Sequence, residues 1–144
     1  MTRVVFITQE VDPAHPLLAA TVSMIRALAA RCDEVVVVAN RIEETALPEN
    51  ARYRLFGGRS RLARAARFET AVARELSAAP KPAAVVAHMC PIYAVLAAPA
   101  ARARRVPVLL WYAHWHTDRL LELAERMSTR VVTVHQTSFP IGSR

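Results

Sequence analysis

Glycine is almost missing from this chain: Gly57, Gly58 and Gly142 are the only three in 144 residues. A turn that cradles pyrophosphate needs glycine so that the backbone can approach the phosphates. The first strand-to-helix turn, residues 8–20, holds none, which argues against a GxGxxG dinucleotide site. No Ser or Cys sits in a GxSxG nucleophile elbow either. Gly57-Gly58-Arg59 is the only glycine-bearing candidate for a phosphate loop, and it is a weak one. Cysteine is equally scarce. Cys32 and Cys90 stand far apart with no CxxC spacing, so reduced thiols in a cytoplasmic protein are expected. No apolar run reaches the roughly 18 residues of a membrane span, and the run after Met1 is too short for a signal peptide.

What remains is ample for a core. The chain is 53% hydrophobic, rich in Ala, Val and Leu, and long enough for one domain over 1–144. Its net charge is +7, and Lys81 is the lone lysine among 19 basic residues. A basic balance raises affinity for phosphates of any kind without choosing among them.

Apolar runs at Val4–Thr8, Val35–Ala39, Arg52–Phe56, Ala84–His88, Val108–Ala113 and Arg130–His135 read as strands, the third a candidate edge strand. Helical spacing marks Leu17–Arg31, with Pro16 at its start, and Ser60 to Leu76, with a stripe of Leu62, Ala65, Phe68, Val72 and Leu76. Two more helices run from Pro91 to Arg104 and from Asp118 to Met127, the second with Thr117 as its expected cap. Strands alternating with helices predict an α/β, Rossmann-like, doubly wound and mostly parallel six-stranded sheet with helices on both faces.

Ligands of such sheets bind beyond the carboxyl ends of the strands. Gln9, Glu10, Asp12 and His15 follow the first strand, Asn40 and Arg41 the second, His88 ends the fourth, and His114 and His116 follow the fifth. With His135 after the sixth, all five histidines fall on one edge. Three readings compete. The first is a metal site, disfavoured because no pair has ligand-motif spacing. The second is recognition of a hydroxylated or phosphorylated ligand, which neutral imidazoles suit because they donate and accept at once. The third is local satisfaction of backbone groups, weakest for His114, which Trp111, Tyr112, Trp115 and His116 surround in sequence. The run Arg52, Arg54, Arg59, Arg61, Arg64 and Arg67 is a solvated face or a contact for anionic lipid or phosphate. Nucleic acid is disfavoured because no aromatics interleave with it.

The segment 108–116, VLLWYAHWH, followed by LLELAER at 120–126 and RVVTV at 130–134, resembles the N-terminal domain of the family-four retaining glycosyltransferases of the GT-B fold. ALAAR at 27–31 with EVVVV at 34–38 resembles that family's first helix and second strand, and Asp12–Pro16 its first acceptor loop. The resemblance implies an acceptor-binding half whose C-terminal, donor-binding domain lies outside these residues, with no activity expected of this half alone. It implies a sugar passed from a nucleotide-sugar donor to a hydroxyl acceptor, without metal or other cofactor. His114 matches the catalytic histidine that reaches the donor sugar. Glu10, Asp12, His15, His88 and His116 would meet a small-molecule or lipid-linked acceptor, and Arg59, Arg61 and Arg64 an anionic lipid or phosphate. Peripheral contact with the inner face of the membrane and a dimer through the exposed interdomain face follow as expectations. Two departures stand out: Leu17-Leu18 lie where the family carries Gly-Gly, and the family's paired glutamates belong to the other domain. The rival readings are a stand-alone binding or interaction domain and a metal-dependent hydrolase.

Overall fold

Four consecutive valines, 35–38, set the architecture: all are 0% exposed, so their strand is covered on both faces. In the computed structural model, which describes residues 1–16, 18–139 and 141, that strand is β2 (Glu34–Ile42). The others are β1 (Arg3–Val11), β3 (Ala51–Leu55), β4 (Ala84–His88), β5 (Val108–Trp111) and β6 (Arg130–Val132). Between them run α1 (Ala20–Ala29), α2 (Arg61–Ser77), α3 (Pro91–Ala103) and α4 (Arg119–Met127). The sheet has six strands in the order β3-β2-β1-β4-β5-β6, and every pairing is parallel.

Alternation along the strands divides the core. Val5, Ile7, Val36, Val38, Val85, Ala87 and Leu110 pack with α2, α3 and α4. Val4, Phe6, Val35, Val37 and Val86 pack with Val22, Ile25 and Ala29 of α1. Helices therefore cover both faces of the doubly wound sheet, as the spacing predicts. Over β4 to β6 the α1 face is only half covered, leaving an apolar groove of about 290 Å3 between Met24, Leu28, Leu109, Trp111 and Val132.

The shortage of glycine reappears as backbone strain. Met89, at the β4–α3 turn, and Arg105, just past α3, adopt left-handed φ of 61° and 53°. Glycine normally fills the second kind of position, where the chain leaves a helix. Gly57 and Gly58 serve close approach instead: a Cβ on Gly57 would lie 3.0 Å from the carbonyl oxygen of Asn40, and one on Gly58 3.2 Å from the backbone nitrogen of Arg64.

Element boundaries correct the sequence reading. β1 and β2 run on to Val11 and Ile42, so Gln9, Glu10, Asn40 and Arg41 lie on strands. β5 and β6 stop early, at Trp111 and Val132. Helix α1 starts at Ala20, not Leu17; before it, His15 N–H donates to the Asp12 carbonyl at 3.2 Å and Leu18 N–H to His15 Nδ1 at 2.9 Å. Leu17 itself lies outside the described residues. Asp118, not Thr117, caps α4, its Oδ1 accepting from Leu121 N–H at 2.7 Å. Ser60 caps α2 as expected, accepting from Ala63 N–H at 3.1 Å. Leu62 leaves the expected buried stripe and is 84% exposed, while Phe68, Val72 and Leu76 are buried.

The basic run also divides. At the amino edge of the sheet, Arg3 and Glu75 are each 1% exposed and paired to one another. Arg52 and Arg54 close on the same carboxylate at 2.7 and 2.8 Å, and Glu34 joins Arg3 at 2.8 Å. Burial alone would raise the Glu75 pKa, but hydrogen bonds from Arg52 and Arg54 and the nearby charges of Arg52 and Arg3 outweigh it and hold the carboxyl below its ordinary range. Arg52 and Arg54 are thus tied into an ion network, not a ligand-facing patch.

Candidate functional site

The carboxyl edge of the sheet gathers three groups of side chains. The first stands beyond β1 and β2. Arg41 Nε lies 2.9 Å from Glu10 Oε1, and its Nη2 lies 3.3 Å from Asp12 Oδ2. His15 Nε2 lies 4.0 Å from Glu10 Oε2. Asp12 also turns the chain, its Oδ1 accepting from Ala14 N–H at 2.8 Å. The predicted Glu10, Asp12 and His15 are therefore brought together, with Arg41 between the carboxylates. This polar group can donate to and accept from sugar hydroxyls.

The second group is the loop after β5. His114 and His116 are exposed, and Trp115 is 82% exposed. His114 Nδ1 accepts from His116 N–H at 3.0 Å, which fixes Nδ1 as the unprotonated nitrogen in that bond. Tyr112 is buried beneath and donates its hydroxyl to the His116 carbonyl at 2.9 Å. His116 Nε2 faces Asp118 Oδ2 at 3.6 Å. The loop thus presents an oriented imidazole beside an exposed indole, which suits stacking and hydrogen bonding to a sugar ring.

The third group stands beside the ends of β1 and β2. A cavity of about 310 Å3 opens between α2 and α3, with Arg61 and Arg64 on one wall and Gln9 and Asn40 at the strand ends. Phe56, Phe68 and Tyr93 form its floor, with ring centroids 5.3, 5.6 and 5.4 Å apart. The Tyr93 hydroxyl donates to Gln9 Oε1. Burial, followed by the Cys90 thiol beside it, raises the Tyr93 pKa, and burial likewise pushes the Cys90 thiol up. Both groups are neutral at physiological pH. Arg59 is exposed and does not line the cavity.

His88 is set apart from the other candidates. It is 5% exposed, stacked on Phe6 at 5.5 Å, and joined through Nδ1 to Thr8 Oγ1 at 3.1 Å. Burial lowers its pKa to about 4, so the ring is neutral in the fold. Among the described residues no three His, Cys, Asp or Glu side chains are placed to hold a metal ion. No helix is long and apolar enough to cross a membrane.

Tyr93 and Phe56 also belong to this edge, although the sequence pattern does not single them out. Tyr93 and Phe56 look like ordinary core residues in a linear pattern, and only the α2–α3 packing turns them into a cavity floor. Arg41 carried a signal, since it follows the four-valine strand on the expected edge.

No family model matches the sequence, and no curated protein matches it. Solved structures do match in fold. A putative UDP-N-acetylglucosamine 2-epimerase from Listeria monocytogenes superposes with a TM-score of 0.70 at 14% identity, over 94% of this chain and 40% of that one. MnaA of S. aureus, solved with UDP, gives 0.69 at 15% identity, over 96% and 39%. MurG of Acinetobacter baumannii gives 0.65 at 13% identity, over 100% and 44%. The chain shares the Rossmann-like α/β fold of part of each of these proteins. The chain spans about 40% of the length of the 2-epimerases it matches, and identities this low carry the fold alone.

Proposed function

We propose that the chain is the acceptor-side half of a GT-B glycosyltransferase that passes a sugar from a nucleotide-sugar donor to a hydroxyl acceptor, with retention as the resemblance of residues 108–134 implies. The observation that carries this reading is the coincidence of the two polar groups at the carboxyl edge with a fold found in proteins solved with UDP, such as MnaA and, with UDP and glucose, HepE of Anabaena. Glu10, Asp12, His15 and His116 hold acceptor hydroxyls. His114, oriented through Nδ1, positions the transferred sugar from this side. The donor-binding half completes the cleft and excludes water on closure.

A second reading rests on the neighbours themselves. Several are UDP-GlcNAc 2-epimerases, so the domain also suits an enzyme that inverts a nucleotide sugar without an acceptor.

One assay separates the two. The protein is purified from its native source, at whatever length it occurs there, and given UDP-glucose or UDP-N-acetylglucosamine with and without methyl glycosides. Acceptor-dependent UDP release supports transfer. Conversion of the nucleotide sugar to its 2-epimer without acceptor supports the second reading. No turnover of any nucleotide sugar overturns both.

A further inference from the structure

Four arginines along the sheet, Arg3, Arg41, Arg52 and Arg54, are held by carboxylates, and Arg61 and Arg64 are not among them. Arg61 and Arg64 make no ion pair among the described residues, yet both line the 310 Å3 cavity between the first turns of α2 and α3. Three apart on one helix, they put two uncompensated guanidiniums on the same wall. Like charges held together without a counter-charge are unfavourable until an anion arrives, and the guanidinium fork matches phosphate geometry.

Most of the remaining lining is apolar. Phe56 and Phe68 are buried in its floor, with Leu96 beside them. Ile92, 38% exposed, also lines it, and Leu62, 84% exposed, projects from the same first turn of α2 as Arg61. A free inorganic anion would use only the arginines. Gln9 and Asn40 at the strand ends add neutral hydrogen-bonding groups between the charged and apolar parts.

We infer that this cavity binds a phosphate ester attached to an apolar body, with Arg61 and Arg64 on the phosphate and the ring floor under the first carbons. Its volume lies at the lower end of small-molecule sites, roughly 300–1,000 Å3, so it holds a headgroup and not a whole acyl chain. The same chemistry has two sources, a soluble phosphorylated compound or a lipid headgroup at a membrane surface. Calling this ligand the acceptor rests on the transferase reading; the binding itself does not, and the test contains no nucleotide sugar.

The full chain is titrated with octyl phosphate, octyl glucoside and inorganic phosphate while backbone amide shifts are followed by NMR. Octyl phosphate is expected to shift the amides of Gln9, Asn40, Arg61, Arg64 and Tyr93, and to bind at least tenfold tighter than either comparison probe. Arg61→Gln combined with Arg64→Gln, both helix-surface changes, weakens that binding at least tenfold with the melting temperature unchanged. Arg104→Gln with Arg105→Gln, the same charge change at the other end of α3, leaves it within twofold. Sedimentation with phosphatidylglycerol vesicles, but not phosphatidylcholine vesicles, assigns the lipid source if the Arg61/Arg64 variant loses it; octyl phosphate binding without vesicle binding assigns the soluble source. Equal affinity for all three probes, shifts elsewhere, or equal loss in the two double variants overturns the inference.

Discussion

Thr8 Oγ1 and His88 Nδ1 meet at 3.1 Å across the seam between β1 and β4, where the strand order reverses and the two halves of the sheet diverge. Seams of this kind are where open α/β sheets place their ligands. Here the histidine at the seam is spent on the fold, and the ligand-facing groups stand to either side of it.

That placement makes acid stability depend on His88. Its folded pKa of about 4 lies below the unfolded value near 6.5, so below 6.5 the unfolded chain takes up a proton that the folded chain refuses. The contribution is therefore complete above pH 6.5 and lost as pH falls toward 4, about 3 kcal/mol in all. Urea unfolding at steps between pH 7 and 4 should show this loss, and His88→Gln should remove more than half of it. An unchanged slope in the variant would assign the acid sensitivity to other groups.

Glu75 acts in a lower window. Its carboxyl is held below the ordinary range by Arg52, Arg54 and Arg3, so its contribution is present above the unfolded pKa of about 4.3 and is lost as pH drops below it. Glu75→Gln leaves the buried Arg3 with Glu34 as its remaining carboxylate partner, so the expected cost is at the low end for a broken buried pair, about 3 kcal/mol at pH 7. Chemical denaturation at pH 7 checks it; a cost under about 1 kcal/mol would mean that solvent already screens the network.

The missing glycines predict a stabilising change. Arg105 holds φ 53° where the chain leaves α3, and its neighbour Val106 N–H closes the helix end on the Ala101 carbonyl at 2.9 Å. Arg105→Gly should raise stability by about 1 kcal/mol by relieving the left-handed strain, read as a higher thermal midpoint. A lower midpoint would show that the Arg105 side chain contributes more than its backbone conformation costs.

His114 should separate catalysis from folding. The side chain is exposed, so His114→Ala is expected to leave the melting temperature within a degree or two while lowering sugar transfer by the native protein at least 100-fold, the scale of one lost transition-state contact. Near-normal transfer in the variant would remove His114 from the mechanism.

Much of this was legible in the chain. The valine run 35–38 and the alternation of strands with helices gave the sheet, because a strand buried on both faces writes an unbroken apolar run. Ser60 and Pro91 marked helix starts through local chemistry that tertiary context did not disturb. What escaped was set by packing. Leu62 obeys the helical period yet projects beyond the last layer of neighbours, and Arg52 and Arg54 look like part of one basic run until the fold brings Glu75 against them. The floor formed by Phe56, Phe68 and Tyr93 joins the β3–α2 loop, α2 and α3, which no local pattern contains.

The most direct test of the central claim is an amide-shift map of this chain with UDP-glucose and a series of methyl glycosides. Perturbations are expected at Glu10–His15, Asn40–Arg41 and His114–Asp118, all on the carboxyl edge. Shifts confined to the amino edge, around Thr2, Asp33 and Thr129, or no shifts with any of these probes, would contradict that claim.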